Sequence, residues 1–187
     1  GKIHHVAILP FGGATVTQDL MRGLAVPYKE AQRAKEHHSH ALAQMVDPRE
    51  TVDLPGPSPN QMRSVACELI AHIVEQRLDE MFGIIQGELQ DNGVAEKLGA
   101  GIVLSGGSAS IPGITELAQQ IFAAPVRLGV PTEGLGGIAD VVARPRFTVG
   151  AGLALWGADR FAETGRGAST RASGIVTRLG VWLKEFF

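Results

Sequence analysis

The chain has 187 residues, 44% hydrophobic and 19% charged, with a formal net charge of -2. That composition fits a folded domain rather than a disordered or fibrous chain, and the scattered Lys and Arg form no basic stripe, which argues against nucleic-acid binding. Cys67 is the only cysteine, so neither a disulfide framework nor a cysteine metal site is expected within this chain, which suits a reducing compartment.

No window reaches the roughly 18 consecutive apolar residues of a transmembrane helix, and no charged and then apolar leader opens the chain. The body is therefore expected to be soluble and unsecreted. Ile3 to Pro10 reads as a strand entered without a turn or cap, the pattern expected at the start of a fragment. After Phe11-Gly12-Gly13 the sequence predicts a short helix over Thr15 to Leu24, ended by Pro27, then a weakly amphipathic surface helix over Lys29 to Met45.

Asp47 to Asn60 carries four prolines around a strand-like Thr51 to Leu54, and reads as a connection. Apolar residues then recur at helical spacing from Met62 through Val65, Leu69, Ile73 and Phe82 to Leu89, predicting one long helix over Gln61 to Asp91. Gly101 to Ser105 reads as a short apolar strand, Gly106-Gly107 as a tight turn, and Pro112 to Phe122 as a helix. Val126 to Leu128 looks like another strand, Thr132 to Gly137 is a glycine-rich loop, and Phe147 to Trp156 reads as a tightly packed, buried helix or strand. Alternating strands and helices place the chain in the α/β class.

From Asp159 to Gly174 the composition turns to Gly, Ser, Thr, Ala and Arg, which is expected to form a flexible linker. Beyond it, Ile175, Val176, Leu179, Trp182, Leu183, Phe186 and Phe187 fall on one helical face, with Arg178 and Lys184 on the other. Such a stripe fits either a groove on a protein or a lipid surface. The linker and the excess of Arg and Lys favour lipid, since each basic residue near an anionic leaflet gains on the order of 1 kcal/mol. One short helix buries a few side chains worth about 1.5 to 3 kcal/mol each at full burial, so firm attachment needs several tails on one assembly.

His4, His5, His37, His38 and His40 have no HxxxH spacing, and they are read as surface residues rather than as metal ligands. The glycine turn is more informative in context. The run GIVLSGGSASIPGI, Gly101 to Ile114, resembles the adenosine motif of the actin and Hsp70 superfamily, and FTVGAGLALWG, Phe147 to Gly157, is similar to its second connecting segment. The order of segments and the terminal helix look like the bacterial cell-division FtsA family.

The resemblance implies an actin-like (ribonuclease H-like) fold represented by subdomains 2A and 2B only, plus a C-terminal amphipathic helix. Residues 1–28 would begin subdomain 2A, 29–92 would form 2B, 93–158 would complete 2A, 159–174 would be linker, and 175–187 would be the membrane-targeting helix. The half of the family fold with the phosphate loops and Mg²⁺ ligands is not in this sequence, so the chain alone is expected not to hydrolyse ATP.

Carried over by the same resemblance, Gly106, Gly107 and Ser108 would contact adenosine. Gln32, Lys35 and Ser39 match an E-x-x-K-x-x-x-[GS] pattern near the ribose, with Gln where relatives have Glu. Arg63, Arg77 and Glu80 match a region that binds the C-terminal peptide of FtsZ, although Arg77 and Glu80 also fit a plain ion pair three residues apart on one helix. The implied function is a non-enzymatic, ATP-binding, polymerising adaptor that tethers FtsZ filaments to the cytoplasmic face of the bacterial inner membrane at the septum. An ATPase or sugar kinase of the same superfamily, or a PilM-like pilus-assembly adaptor, would share the glycine turn.

Overall fold

The computed structural model describes residues 3–56, 61–132, 134–136 and 139–164. Six helices are found there: α1 Gly13–Gly23, α2 Tyr28–His38, α3 Cys67–Asp91, α4 Ile114–Phe122, α5 Ala139–Val142 and α6 Thr148–Thr164. Four strands accompany them: β1 Thr51–Pro55, β2 Met62–Ala66, β3 Ile102–Leu104 and β4 Val126–Leu128. The first two pair antiparallel and the last two parallel, each as a separate two-stranded sheet.

The body is a helical sandwich built on α3. Ile70, Val74, Leu78 and Phe82 recur at intervals of four along it and are all buried, which is the periodicity of one helical face. They meet Val16, Leu20 and Leu24, spaced the same way along α1, and Ile114, Leu117 and Ala118 of α4 in one continuous core. Phe82 meets Phe122 at a ring-centroid distance of 5.6 Å, a tilted aromatic pair. Gln86 Nε2 donates to the Ile121 carbonyl at 2.7 Å, fastening the far end of α3 to α4.

Several elements differ from their sequence-based expectation, each for a physical reason. Residues 3–9 form no strand, and Ile3, Val6 and Ile8 are 84%, 71% and 92% exposed, because no described residue offers them a ladder. The helix expected over Lys29 to Met45 stops at His38; a separate single 3₁₀ turn covers Ala43–Met45, held by the Ala43 amide donating to Glu75 Oε2 at 2.8 Å. Helix α2 is the amphipathic surface helix the sequence predicts: Ala31 and Ala34 join the core, while Tyr28, Lys29, Arg33, Glu36 and His37 are exposed. Pro27 does not end α1 but caps the start of α2, where its missing amide costs nothing.

The long helix begins at Cys67, six residues later than expected. Met62 and Val65 satisfy helical spacing with Leu69, yet Met62–Ala66 instead pairs with Thr51–Pro55, setting Val52 opposite Val65 and burying Leu54 and Val65. The segment read as a connection is thus half of a hairpin. At the other end, α6 is a helix but not a buried one: Val149, Leu153 and Trp156 are 65%, 63% and 60% exposed. It also runs on through Asp159 to Thr164, the first part of the expected linker. The rest of that linker and the terminal helix, Ile175 to Phe187, lie outside the described residues.

Candidate functional site

A cavity of about 760 Å³ opens between α1, α2 and the turn after β3, and its walls include Gln32, Lys35, Ser39, Gly107 and Ser108. Two sequence segments some 70 residues apart are therefore brought to one space. On α2, positions 32, 35 and 39 fall at i, i+3 and i+7, one side of the helix. Ser39 follows the last helical residue, and its hydroxyl donates back to the Lys35 carbonyl at 2.5 Å, closing a C-terminal turn that would otherwise leave an unpaired acceptor.

On the other wall, β3 delivers the chain to Gly106, whose φ of 95° favours a residue without Cβ. The Gly106 amide donates to the Pro145 carbonyl at 2.9 Å, and Gly107–Ser110 then wraps as a 3₁₀ turn around buried Ala109. Gly107 and Ser108 face the cavity, while Gly106 sets the bend and is not part of the lining. Gly13, at the start of α1, lies close to both walls. A Cβ there would collide with Ser108 Oγ and would lie 3.5 Å from Lys35 Nζ.

Lys35 is the hub. Its ammonium donates to the Gly13 carbonyl at 2.9 Å, Thr17 Oγ1 at 2.8 Å and Gln32 Oε1 at 2.9 Å, which engages all three of its protons. Thr17, fully buried, donates in turn to Gln32 Oε1 at 2.7 Å. Burial lowers the Lys35 pKa from the ordinary lysine value, with Glu36 opposing the shift. The cavity thus presents one structurally committed cation, the Gln32 amide, the hydroxyls of Ser39 and Ser108, and the apolar faces of Ile111 and Pro112. That mixture suits a flat, partly polar ligand carrying hydroxyls, in a volume within the ~300–1,000 Å³ of small-molecule sites.

Sequence reasoning missed three contributors: Gly13, Thr17 and Arg146. Arg146 lines the cavity and lies over the Phe147 ring at 5.2 Å. None stands in a recognisable motif, and each matters through a neighbour far away in sequence. The histidines are more varied than a surface reading implies. His5 Nε2 lies 3.0 Å from Glu88 Oε1, His37 lines the cavity, and His40 Nδ1 accepts the Leu42 amide at 3.0 Å.

Arg63, Arg77 and Glu80 do not converge on one pocket. Arg77 bridges Asp19 of α1 and Glu80 Oε2, the latter at 2.5 Å, and these three line a shallow groove of about 190 Å³ with Ile73 and Gln76. The hydrogen bond to Asp19, more than any other contact, raises the Arg77 pKa. Arg63 sits apart on β2, donating to the Leu24 carbonyl at the end of α1, with its Nε buried and without a partner. All three are tied to or beside α1, but Arg63 is not in the groove.

Residues 1–152 match the family model described as cell division protein FtsA. The chain belongs to the FtsA family. Over its full length it is 37% identical to the cell division protein FtsA of Pseudomonas aeruginosa, covering 46% of that protein, and 29% identical to that of Escherichia coli K12, covering 47%. It is 40% identical over 82% of its length to the FtsA of Neisseria meningitidis serogroup B, covering 37% of it. The chain thus spans less than half the length of these FtsA relatives. Membership brings the actin-like fold with it, consistent with the mixed helices and strands described above. Among the described residues, no helix is long and apolar enough to cross a membrane.

Proposed function

We propose that this chain carries the adenosine-binding side of an ATP cleft in an FtsA-type cell-division protein, one that tethers FtsZ filaments to the cytoplasmic membrane at the septum. The observation that carries this reading is the convergence of Gln32, Lys35 and Ser39 with Gly107 and Ser108 on one cavity. In this reading Gly107 lets the adenine ring lie against backbone, Ser108 and Ser39 bond sugar or base edges, and Gln32 offers its amide to a ribose hydroxyl. Lys35 ties the α2 wall to the start of α1 rather than neutralising phosphate, because its three protons are already engaged. Residues 29–92 act as subdomain 2B and the flanking segments as 2A.

The mechanism is linkage rather than turnover. Gln32, Ser39, Gly107 and Ser108 would hold the adenosine end of ATP, whose phosphates and Mg²⁺ would be met by the rest of an FtsA-type protein; the bound nucleotide would join the lobes and favour self-association. The groove at Arg77 and Glu80 receives the acidic and apolar FtsZ tail, with Arg63 of β2 outside it at the C-terminal end of α1. Ile175 to Phe187 meets lipid weakly in one copy and firmly in a polymer.

Titration of a fluorescent adenine nucleotide into the chain and its Ser108→Leu variant tests the cleft. The variant should bind at least about tenfold more weakly, as expected when a side chain fills the space a flat ligand needs. Equal affinity would remove the adenosine reading. Liposome co-sedimentation of the intact chain against Trp182→Glu tests the tether separately, and equal pelleting would remove the membrane role from the tail.

A further inference from the structure

Beside the α2 wall of the cavity, among residues that do not line it, the ends of three elements meet. His38 is the last residue of α2, Glu50 immediately precedes β1, and Cys67 is the first residue of α3. One imidazole nitrogen, one carboxylate oxygen and the cysteine sulfur all lie within 4.8 Å of one another. The Cys67 amide donates to the Glu50 carbonyl at 2.9 Å, so two of the three residues are fixed to each other through backbone. Cys67 is buried, His38 half-buried and Glu50 exposed, which leaves the cluster closed on its protein side and open on one outer side.

We propose that His38, Glu50 and Cys67 form a binding site for a zinc-class divalent metal, with the fourth coordination position open to water. A thiolate and an imidazole together select Zn²⁺ over Mg²⁺ or Ca²⁺, and Glu supplies a third donor common in open zinc sites. Zinc bonds of ~2.0–2.3 Å place tetrahedral donors roughly 3.3–3.5 Å apart. Closing the cluster by up to about 1.5 Å is within reach of side-chain rotation at exposed Glu50 and half-buried His38. The C-terminus of α2 favours a cation, whereas burial and the neighbouring Glu50 carboxylate raise the Cys67 thiol above its ordinary pKa, so an incoming metal has to displace that proton. On binding, a metal–sulfur bond replaces the S–H bond and the proton leaves to solvent. The site is independent of the nucleotide reading. It would clasp the end of α2, one residue before Ser39 of the cavity wall, to the root of the hairpin and the spine of the core.

Cobalt titration of the metal-free chain is the decisive measurement. Because Cys67 is the only cysteine, a thiolate-to-cobalt charge-transfer band in the near ultraviolet reports this site alone, whatever the other histidines bind. Wild type should show the band and Zn²⁺ should abolish it. His38→Gln and Glu50→Gln should each weaken cobalt binding by at least ~10-fold, the lower bound for losing even an outer-shell partner. Glu50 is exposed, so its variant keeps the fold intact, and Zn²⁺ should raise the melting temperature of wild type but not of Glu50→Gln. No band in wild type at saturating cobalt overturns the proposal. So does a band whose midpoint is unchanged in both His38→Gln and Glu50→Gln.

Discussion

Helices α3 and α6 are both long and rich in apolar residues, and they have opposite fates. On α3, Ile70, Val74 and Leu78 are at most 1% exposed, whereas on α6 Val149, Leu153 and Trp156 are more than half exposed. The difference is one of neighbours. Helix α3 has α1, α2 and α4 packed on it, while α6 has as its main described neighbour only the short turn Pro145–Phe147 before it. Apolar content states what a helix is able to bury; only the surrounding elements decide whether it does.

That contrast can be broken most directly by truncation. Leu78→Ala should cost about 2–5 kcal/mol of stability because its site is closed on all sides, while Leu153→Ala should stay within about 0.5 kcal/mol. Urea unfolding of both variants decides the matter, and similar losses would mean that α6 is packed in solution. Thr17→Val probes the polar seam between α1 and α2. It removes the hydroxyl shared by Lys35 and Gln32, and should cost about 1–3 kcal/mol by the same assay, as for a buried bond whose partners are left incomplete.

A smaller effect follows from Lys35 itself. Its pKa is lowered on folding by burial, so between its folded value and the ordinary 10.5 the unfolded chain binds more protons, and this group's contribution to stability rises with pH through that window. In Lys35→Met that rise should vanish from the pH dependence of unfolding. Smallest of all is Glu80→Gln, on an exposed partner of Arg77. It should change stability by no more than about 0.5–1 kcal/mol, while Asp19→Asn, which removes the main partner of Arg77, should cost more.

How much was legible in the sequence follows the same division. The unit β3, glycine turn, α4 and β4 stands almost where the sequence puts it, because short apolar runs bounded by glycines leave few alternatives. The placement of Gln32, Lys35 and Ser39 against Gly107 and Ser108 was legible only through a family pattern; no local rule relates residues so far apart. The errors share a cause. Met62 and Val65 carry helical spacing but yield to a strand partner, Thr51–Pro55, that periodicity cannot see. Ile3 to Leu9 has the composition of a strand and no described partner to pair with. Thr17 and Gly13 were invisible for the converse reason: each is unremarkable in sequence, and its role is defined by Lys35 and Ser108 in space.

Just past the α2 wall, the Ala41 amide donates to the Pro112 carbonyl at 2.8 Å, across to the segment that forms the opposite wall. That single proton is an internal gauge of the gap. Its exchange with solvent requires the two walls to part, so its hydrogen-exchange rate in the unlabelled protein reads the opening of the cavity directly, with or without an occupant.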